Sequence, residues 1–189
     1  RALLLDMPIL LFDEPTSGYS LASRYMDNTP LMVTSSMLTY PVMTNHYYIK
    51  PTQANFLLID LMKESGFQNP IREFIIRWAG KHPTPYDFFF TMEDIVDEDL
   101  SWFWNPWFFE FGYPDLSIKE VIEEPSLIEI VIERKGNQPV PVHLDITYSD
   151  DLTENRHESM HVWKDGKTEY SIFVKTDKKV QKIILGNEE

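Results

Sequence analysis

The spacing of apolar residues along this chain changes once, close to Leu116, from a helical period to a period of two. A helix returns a side chain to the same face every three or four residues, a strand every second one. Residues 51–115 carry the first pattern and residues 116–189 the second. Residues 1–50 carry neither and read as an irregular N-terminal segment. The chain therefore reads as an α+β protein, a helical subdomain followed by a β-sandwich.

Four helices are expected. Pro51 suits a first turn, where its missing N–H is not needed. Ala54, Leu57, Leu58, Leu61 and Met62 follow at helical spacing, and Gly66 is a stop. Asn69 and Pro70 repeat the start, leading into Ile71, Phe74, Ile75, Trp78 and Ala79 and a second stop at Gly80. Thr84, Pro85 and Asp87 form a capping-box start for a third helix, whose buried stripe would be Phe88, Met92, Ile95 and Val96. A fourth begins near Asp99, with Leu100, Phe103, Trp104, Trp107 and Phe108 facing inward. Pro106 should kink or break it.

Beyond Leu116, Ile128, Ile130 and Ile132 alternate with other residues, Gly136 and Asn137 mark a turn, and Val140, Val142, Leu144 and Ile146 alternate again. Residues 160–163, 170–174 and 180–185 read as further strands, with Asp165-Gly166 as a hairpin turn. Several short strands separated by turns point to an immunoglobulin-like sandwich.

Composition removes several functions. The chain has 189 residues, enough for one or two domains with a buried core. It holds 17 basic and 30 acidic residues, a net charge of −13. That balance opposes nucleic acid, which is bound by basic charge, and docking on anionic lipid. There is no cysteine, which excludes disulfides and thiolate ligands. No run approaches the roughly 20 apolar residues of a membrane span. The chain begins with Arg1, which reads as a fragment or a processed chain.

One long segment is specific. "IREFIIRWAGKHPTPYDFFFTMEDIVDEDLSWFWNPWF" (71–108) contains "RWAGKHPTP" (77–85), "DFF" (87–89), "TMED" (91–94) and "DLSWFW" (99–104) in one order. It resembles the helices that follow the catalytic centre in bacterial M1 aminopeptidases, the gluzincins. The resemblance runs over roughly residues 40–186 and implies the end of a thermolysin-like catalytic domain followed by a sandwich. It implies a parent enzyme that removes N-terminal residues from peptides with the help of zinc. The family's zinc motif is His-Glu-x-x-His with a distal Glu, two histidines one helical turn apart. No copy of that motif lies in a stretch that reads as helix here; the one match in letters, "HESMH" at 157–161, falls where the sequence reads as strand and turn. The expectation is that zinc belongs to an upstream catalytic half of the same protein, that this chain holds no metal or cofactor, and that it is inactive alone. Exported bacterial relatives make the periplasm the expected compartment. The alternative is a non-catalytic interaction or scaffold module of an M1-like protein.

The same resemblance assigns one catalytic residue. "YIKP" (48–51) is similar to the family's Tyr-x-Lys-Gly segment, whose tyrosine donates a hydrogen bond to the oxyanion of the tetrahedral intermediate. That role falls on Tyr48. Pro51 stands in place of the glycine, and Tyr47 is the neighbouring candidate.

Three other patterns invite chemistry. "HESMH" places His157 and His161 four apart with Glu158 between them. The flanking sequence reads as strand and turn, where i and i+4 lie about 13 Å apart, so two surface histidines are expected. "FDEPTSGYSLASRYMD" faintly resembles the family segment that holds the last zinc ligand, with Glu14 in that place. The stretch 1–18 also looks like the Walker B segment of an ABC-type ATPase, with Asp13 near magnesium, Glu14 as base and His46 as switch. No phosphate loop accompanies it.

Overall fold

The computed structural model describes residues 2–4, 10–13, 29–34, 36, 38, 45–64, 66 and 70–186. The protein is an α+β chain in two compact units. One is helical, Met26–Phe111; the other joins Gly112–Glu189 to the first residues of the chain. Among the described residues no helix is long and apolar enough to cross a membrane.

In the helical unit a π-helical turn at Asn45–Ile49 runs into α1 (Lys50–Glu64). Then come α2 (Pro70–Trp78), α3 (Pro85–Val96), α4 (Ser101–Trp104) and a second π-helical turn at Asn105–Phe109. Ala54, Leu58, Leu61 and Met62 bury one face of α1, as their spacing demands. α3 starts with the expected capping box. Thr84 Oγ1 accepts from the Asp87 backbone, and Asp87 Oδ2 accepts from the Thr84 N–H at 2.7 Å. That contact holds the Asp87 carboxyl below the usual carboxylate range. Pro106 lies in the second π turn, where the helix changes its hydrogen-bond pattern. Leu100, Phe103, Trp104 and Trp107 are buried on either side of that change.

α2 departs from expectation. Ile71, Phe74 and Trp78 are half-buried, while Ile75 and Ala79 are exposed. The helix seats itself against α3 through Phe74, whose ring meets Phe88 edge-on at 5.1 Å, and through Trp78, whose Nε1 donates to Thr91 Oγ1 at 3.0 Å. A stripe centred on Phe74 and Trp78 leaves Ile75 to one side. In α3, Phe89 is buried in addition to Met92 and Ile95.

The β unit is a sandwich of two sheets. In one, β3 (Leu116–Glu124), β4 (Leu127–Arg134) and β7 (Glu169–Lys175) run antiparallel in the order β3-β4-β7. In the other, β1 (Ala2–Leu4), β2 (Leu10–Asp13), β8 (Val180–Leu185), β5 (Val142–Tyr148) and β6 (Thr153–Glu158) follow the order β1-β2-β8-β5-β6, with β2 and β8 parallel. Ile128, Ile130, Ile132, Ile172 and Val174 bury the inner face of the first sheet. Val142, Leu144, Ile146, Val180, Ile183 and Leu185 bury that of the second.

Two expectations are corrected between β6 and β7. Met160–Gly166 is not a strand but holds 3-10 turns interrupted at Lys164 and Asp165, whose backbones are not helical. Met160 and Trp163 are three residues apart, which a 3-10 helix places on one side, and both are buried. Ser159 caps it by accepting from the His161 N–H at 3.3 Å. Asp165 and Gly166 do take left-handed conformations, φ 64° and 74°. They do not close a hairpin, because β6 and β7 belong to different sheets.

Residues after β4 are held by a close backbone approach. A Cβ on Gly136 would lie 2.1 Å from the Tyr113 carbonyl oxygen and 2.7 Å from the Asp115 nitrogen. The Lys135 and Gly136 N–H groups both donate to the Asp115 carbonyl, at 2.8 and 3.1 Å. Nearby, Arg134 donates to the carbonyls of Gly136, Asn137 and Lys167. Trp163 Nε1 donates to the Val140 carbonyl at 2.8 Å. Gly136→Ala should therefore destabilise the protein by about 1–3 kcal/mol through backbone displacement. A urea midpoint equal to that of the parent protein would refute this packing account.

Candidate functional site

Tyr48 stands on the π turn ahead of α1, and two buried neighbours anchor that turn. His46 is 7% exposed and Lys50 only 2%, while Tyr48 is 69% exposed. His46 and Lys50 are four residues apart and share the inward side. Tyr47 and Tyr48, between them, are turned to solvent. Burying an ammonium is costly unless it is hydrogen-bonded. Lys50 Nζ donates to the Thr29 carbonyl at 2.9 Å, tying the start of α1 to the stretch before it. His46 is pushed below the ordinary histidine range by burial and then by the Lys50 charge; a backbone hydrogen bond with Leu31 opposes the shift. At neutral pH the turn thus packs a neutral imidazole next to a cation.

The backbone at Tyr48 is also engaged. Pro51 has no N–H to offer the turn before it. The Thr52 hydroxyl donates to the Tyr48 carbonyl, and Asn55 Nδ2 donates to the Pro51 carbonyl at 2.8 Å. Tyr48, Thr52 and Phe56 recur every four residues along an exposed line of the helix, and Phe56 is 67% exposed. The arrangement presents a phenol hydroxyl to solvent from a backbone fixed on its other side. π turns of this kind are frequent at functional sites.

The remaining motif residues build scaffold. The Arg77 guanidinium pairs with Glu73 at 2.8 Å and with Asp94, joining α2 to α3. Glu93 Oε1 accepts from Trp104 Nε1 at 3.0 Å and from the Leu100 N–H at 3.2 Å. Phe89 packs against Trp104 and Phe108 with ring centroids 4.6 and 5.0 Å apart. The segments "RWAGKHPTP", "DFF", "TMED" and "DLSWFW" are thus four faces of one helical packing unit.

The histidines do not form the pair that "HESMH" suggests. His157 lies in β6 and faces His143 of β5, with Nδ1 atoms 3.1 Å apart. His161 lies in the 3-10 segment, its Nδ1 3.2 Å from the Ser159 hydroxyl. Among the described residues no three His, Asp or Glu side chains gather into a group able to hold a metal ion. Glu14 lies outside the described residues. Asp13 ends β2, and His46 is buried in the π turn.

Comparison with solved structures gives the fold. The chain resembles aminopeptidase A from Legionella pneumophila, solved in complex with aspartic acid, with a TM-score of 0.58 at 18% sequence identity. The match covers 82% of this chain and 18% of that enzyme, so the chain spans less than a fifth of the neighbour's length. No protein-family model and no curated protein matches the sequence. The likeness is to an aminopeptidase-type fold.

The buried imidazole sets a pH dependence. A histidine whose folded pKa is depressed takes up its proton more readily in the unfolded chain. Its stabilising contribution is complete above its unfolded value of 6.5 and is lost as pH falls below it. His46→Gln should flatten that part of the stability–pH profile between pH 7 and 5. Parallel profiles for the two proteins, measured by urea unfolding, would rule His46 out as its source.

Proposed function

We propose that this chain is the helical and β-sandwich portion of an M1-type zinc aminopeptidase, with Tyr48 as the oxyanion donor. One observation carries the reading: the likeness to an aminopeptidase over 82% of the chain. It is supported by the ordered motifs of residues 71–108 and by the exposed, anchored position of Tyr48.

The described residues do not fit a zinc site, since none gather as three ligands and the one His-Glu-x-x-His of the sequence, at His157–His161, runs out of β6 into the segment after it and not along an α-helix. In this reading the metal and the general base belong to sequence beyond these 189 residues. This chain supplies the phenol. When water adds to a scissile carbonyl, negative charge develops on the oxygen. A hydroxyl that donates to that oxygen stabilises the transition state more than the ground state. The buried His46 and Lys50 serve by fixing the turn, so the phenol need not be ordered during the reaction. The peptide substrate and the upstream catalytic half are the partners of this arrangement.

The reading is tested on the complete reading frame, assayed with aminoacyl p-nitroanilides and zinc. Turnover that depends on zinc is expected, and Tyr48→Phe should lower kcat by roughly a hundredfold or more, with KM changing less. Near-normal kcat in Tyr48→Phe would remove the catalytic assignment. A complete protein that neither binds zinc nor hydrolyses the amides would leave the scaffold reading in its place.

A further inference from the structure

We propose that His143 and His157 form a two-imidazole site for a divalent transition-metal cation, copper(II) foremost, on the outer face of the sandwich. This site is separate from the reading of Tyr48 and does not depend on it.

The two residues lie directly opposite one another in the β5–β6 ladder. Their neighbours fix which way they face. Val142, Leu144 and Ile146 are buried on the inner side, so the alternation of the strand puts His143, Asp145 and Thr147 on the outer side. The same register puts His157, Asn155 and Thr153 opposite them. A slip by one residue would expose the whole inner face, so the pairing is strongly specified. The outer ladder adds its own ties, with Asn155 Nδ2 donating to Asp145 and the Thr147 and Thr153 hydroxyls 3.2 Å apart. The two imidazoles are therefore held as cross-strand partners, with ring centroids 4.5 Å apart. His157 is exposed and β6 is the last strand of its sheet, so the approach from solvent is open.

The contact itself resembles a chelate. The Nδ1 atoms are 3.1 Å apart, and metal–imidazole bonds of about 2.0–2.1 Å would span that gap at an N–metal–N angle of roughly 95–100°. That lies close to the right angle of tetragonal copper(II) or nickel(II) and below the tetrahedral angle of zinc. Two nitrogens in contact need a hydrogen between them, donated by one ring and accepted by the other. A cation takes that hydrogen's place at the two Nδ1 atoms. Copper(II) heads the affinity order for such nitrogen ligands. Water completes the coordination, because no third His, Asp or Glu joins a metal group among the described residues.

The test is isothermal titration of copper(II) chloride into the full chain at neutral pH, alongside His143→Gln, His157→Gln and His161→Gln. One saturable site is expected. Each of the first two variants should weaken it by roughly tenfold or more, since the second imidazole acts at high effective concentration. His161→Gln should bind as the parent protein does. Electron paramagnetic resonance of the parent complex should show two nitrogen ligands, a readout that holds even if a variant fails to fold. No saturable site, a single nitrogen ligand, or affinity retained within tenfold in a folded His157→Gln would each overturn the proposal.

Discussion

The carboxylate of Glu93 is the point on which the helical unit turns. It sits on α3 and accepts from the Leu100 backbone and from the Trp104 indole, so one side chain holds the start of α4 and fixes its last aromatic ring. The chain between them reverses at Asp97, which takes the left-handed conformation and donates its N–H to the Glu93 carbonyl. Both the side chain and the main chain of Glu93 are thus used to bend α3 back into the aromatic segment. With that bend set, Phe89 meets Trp104 and Phe108, and Trp107 is buried beyond Pro106. Aromatic rings contribute most when packed edge-to-face or offset, and Trp buries well only when its N–H finds an acceptor. Glu93 supplies the acceptor that lets this cluster form without an orphaned indole.

The β unit solves a comparable problem with backbone groups. Its sandwich needs a route from one sheet to the other after β4. Gly136 lets the chain pass against Tyr113 and Asp115, and the Asp115 carbonyl receives two N–H groups there. Arg134 then satisfies carbonyls that this route leaves without strand partners. Burial pushes the Arg134 guanidinium below its ordinary range, yet three carbonyl contacts hold it in place over the Trp163 ring. The crossing between β6 and β7 is managed in the same way, by a short 3-10 segment whose Trp163 indole reaches the Val140 carbonyl.

Much of this was legible from residue order, because it depends on local rules. The capping box at Thr84 and Asp87, the buried stripe of α1, the change of helix type around Pro106 and the inward isoleucines of β4 each follow from residues a few positions apart. The misreadings share a cause. Residues 160–163 alternate in a way that suits a strand, but Met160 and Trp163 answer to a common buried side, which is a tertiary demand. Ile75 belongs to a helical stripe on paper, yet α2 is positioned by Phe74 and Trp78, whose partners lie on α3. The pairing of His157 with His143, fourteen residues away in sequence, depends on register across the turn between β5 and β6, so "HESMH" directed attention to the wrong partner. For Tyr48, resemblance alone pointed to the position. Its exposure and its two buried anchors became visible only in three dimensions.

Those anchors bear on how a turn can carry chemistry without being a rigid helix. A π turn offers weaker hydrogen bonding than an α-helix, and Pro51 withdraws one donor from the turn before it. Left alone, such a segment would sample several backbone states, and a phenol on it would lose position. Lys50 and His46 counter this from the inward side, where reorganisation would expose an ammonium from its carbonyl partner or an imidazole from its packing. The cost of moving the turn is thereby set by buried groups, and the exposed residues are left to meet whatever approaches from solvent. Tyr47 and Tyr48 share the turn and both face outward, but Tyr48 is the more exposed and begins the line continued by Thr52 and Phe56. The two adjacent tyrosines thus differ in exposure, Tyr48 standing further into solvent than Tyr47.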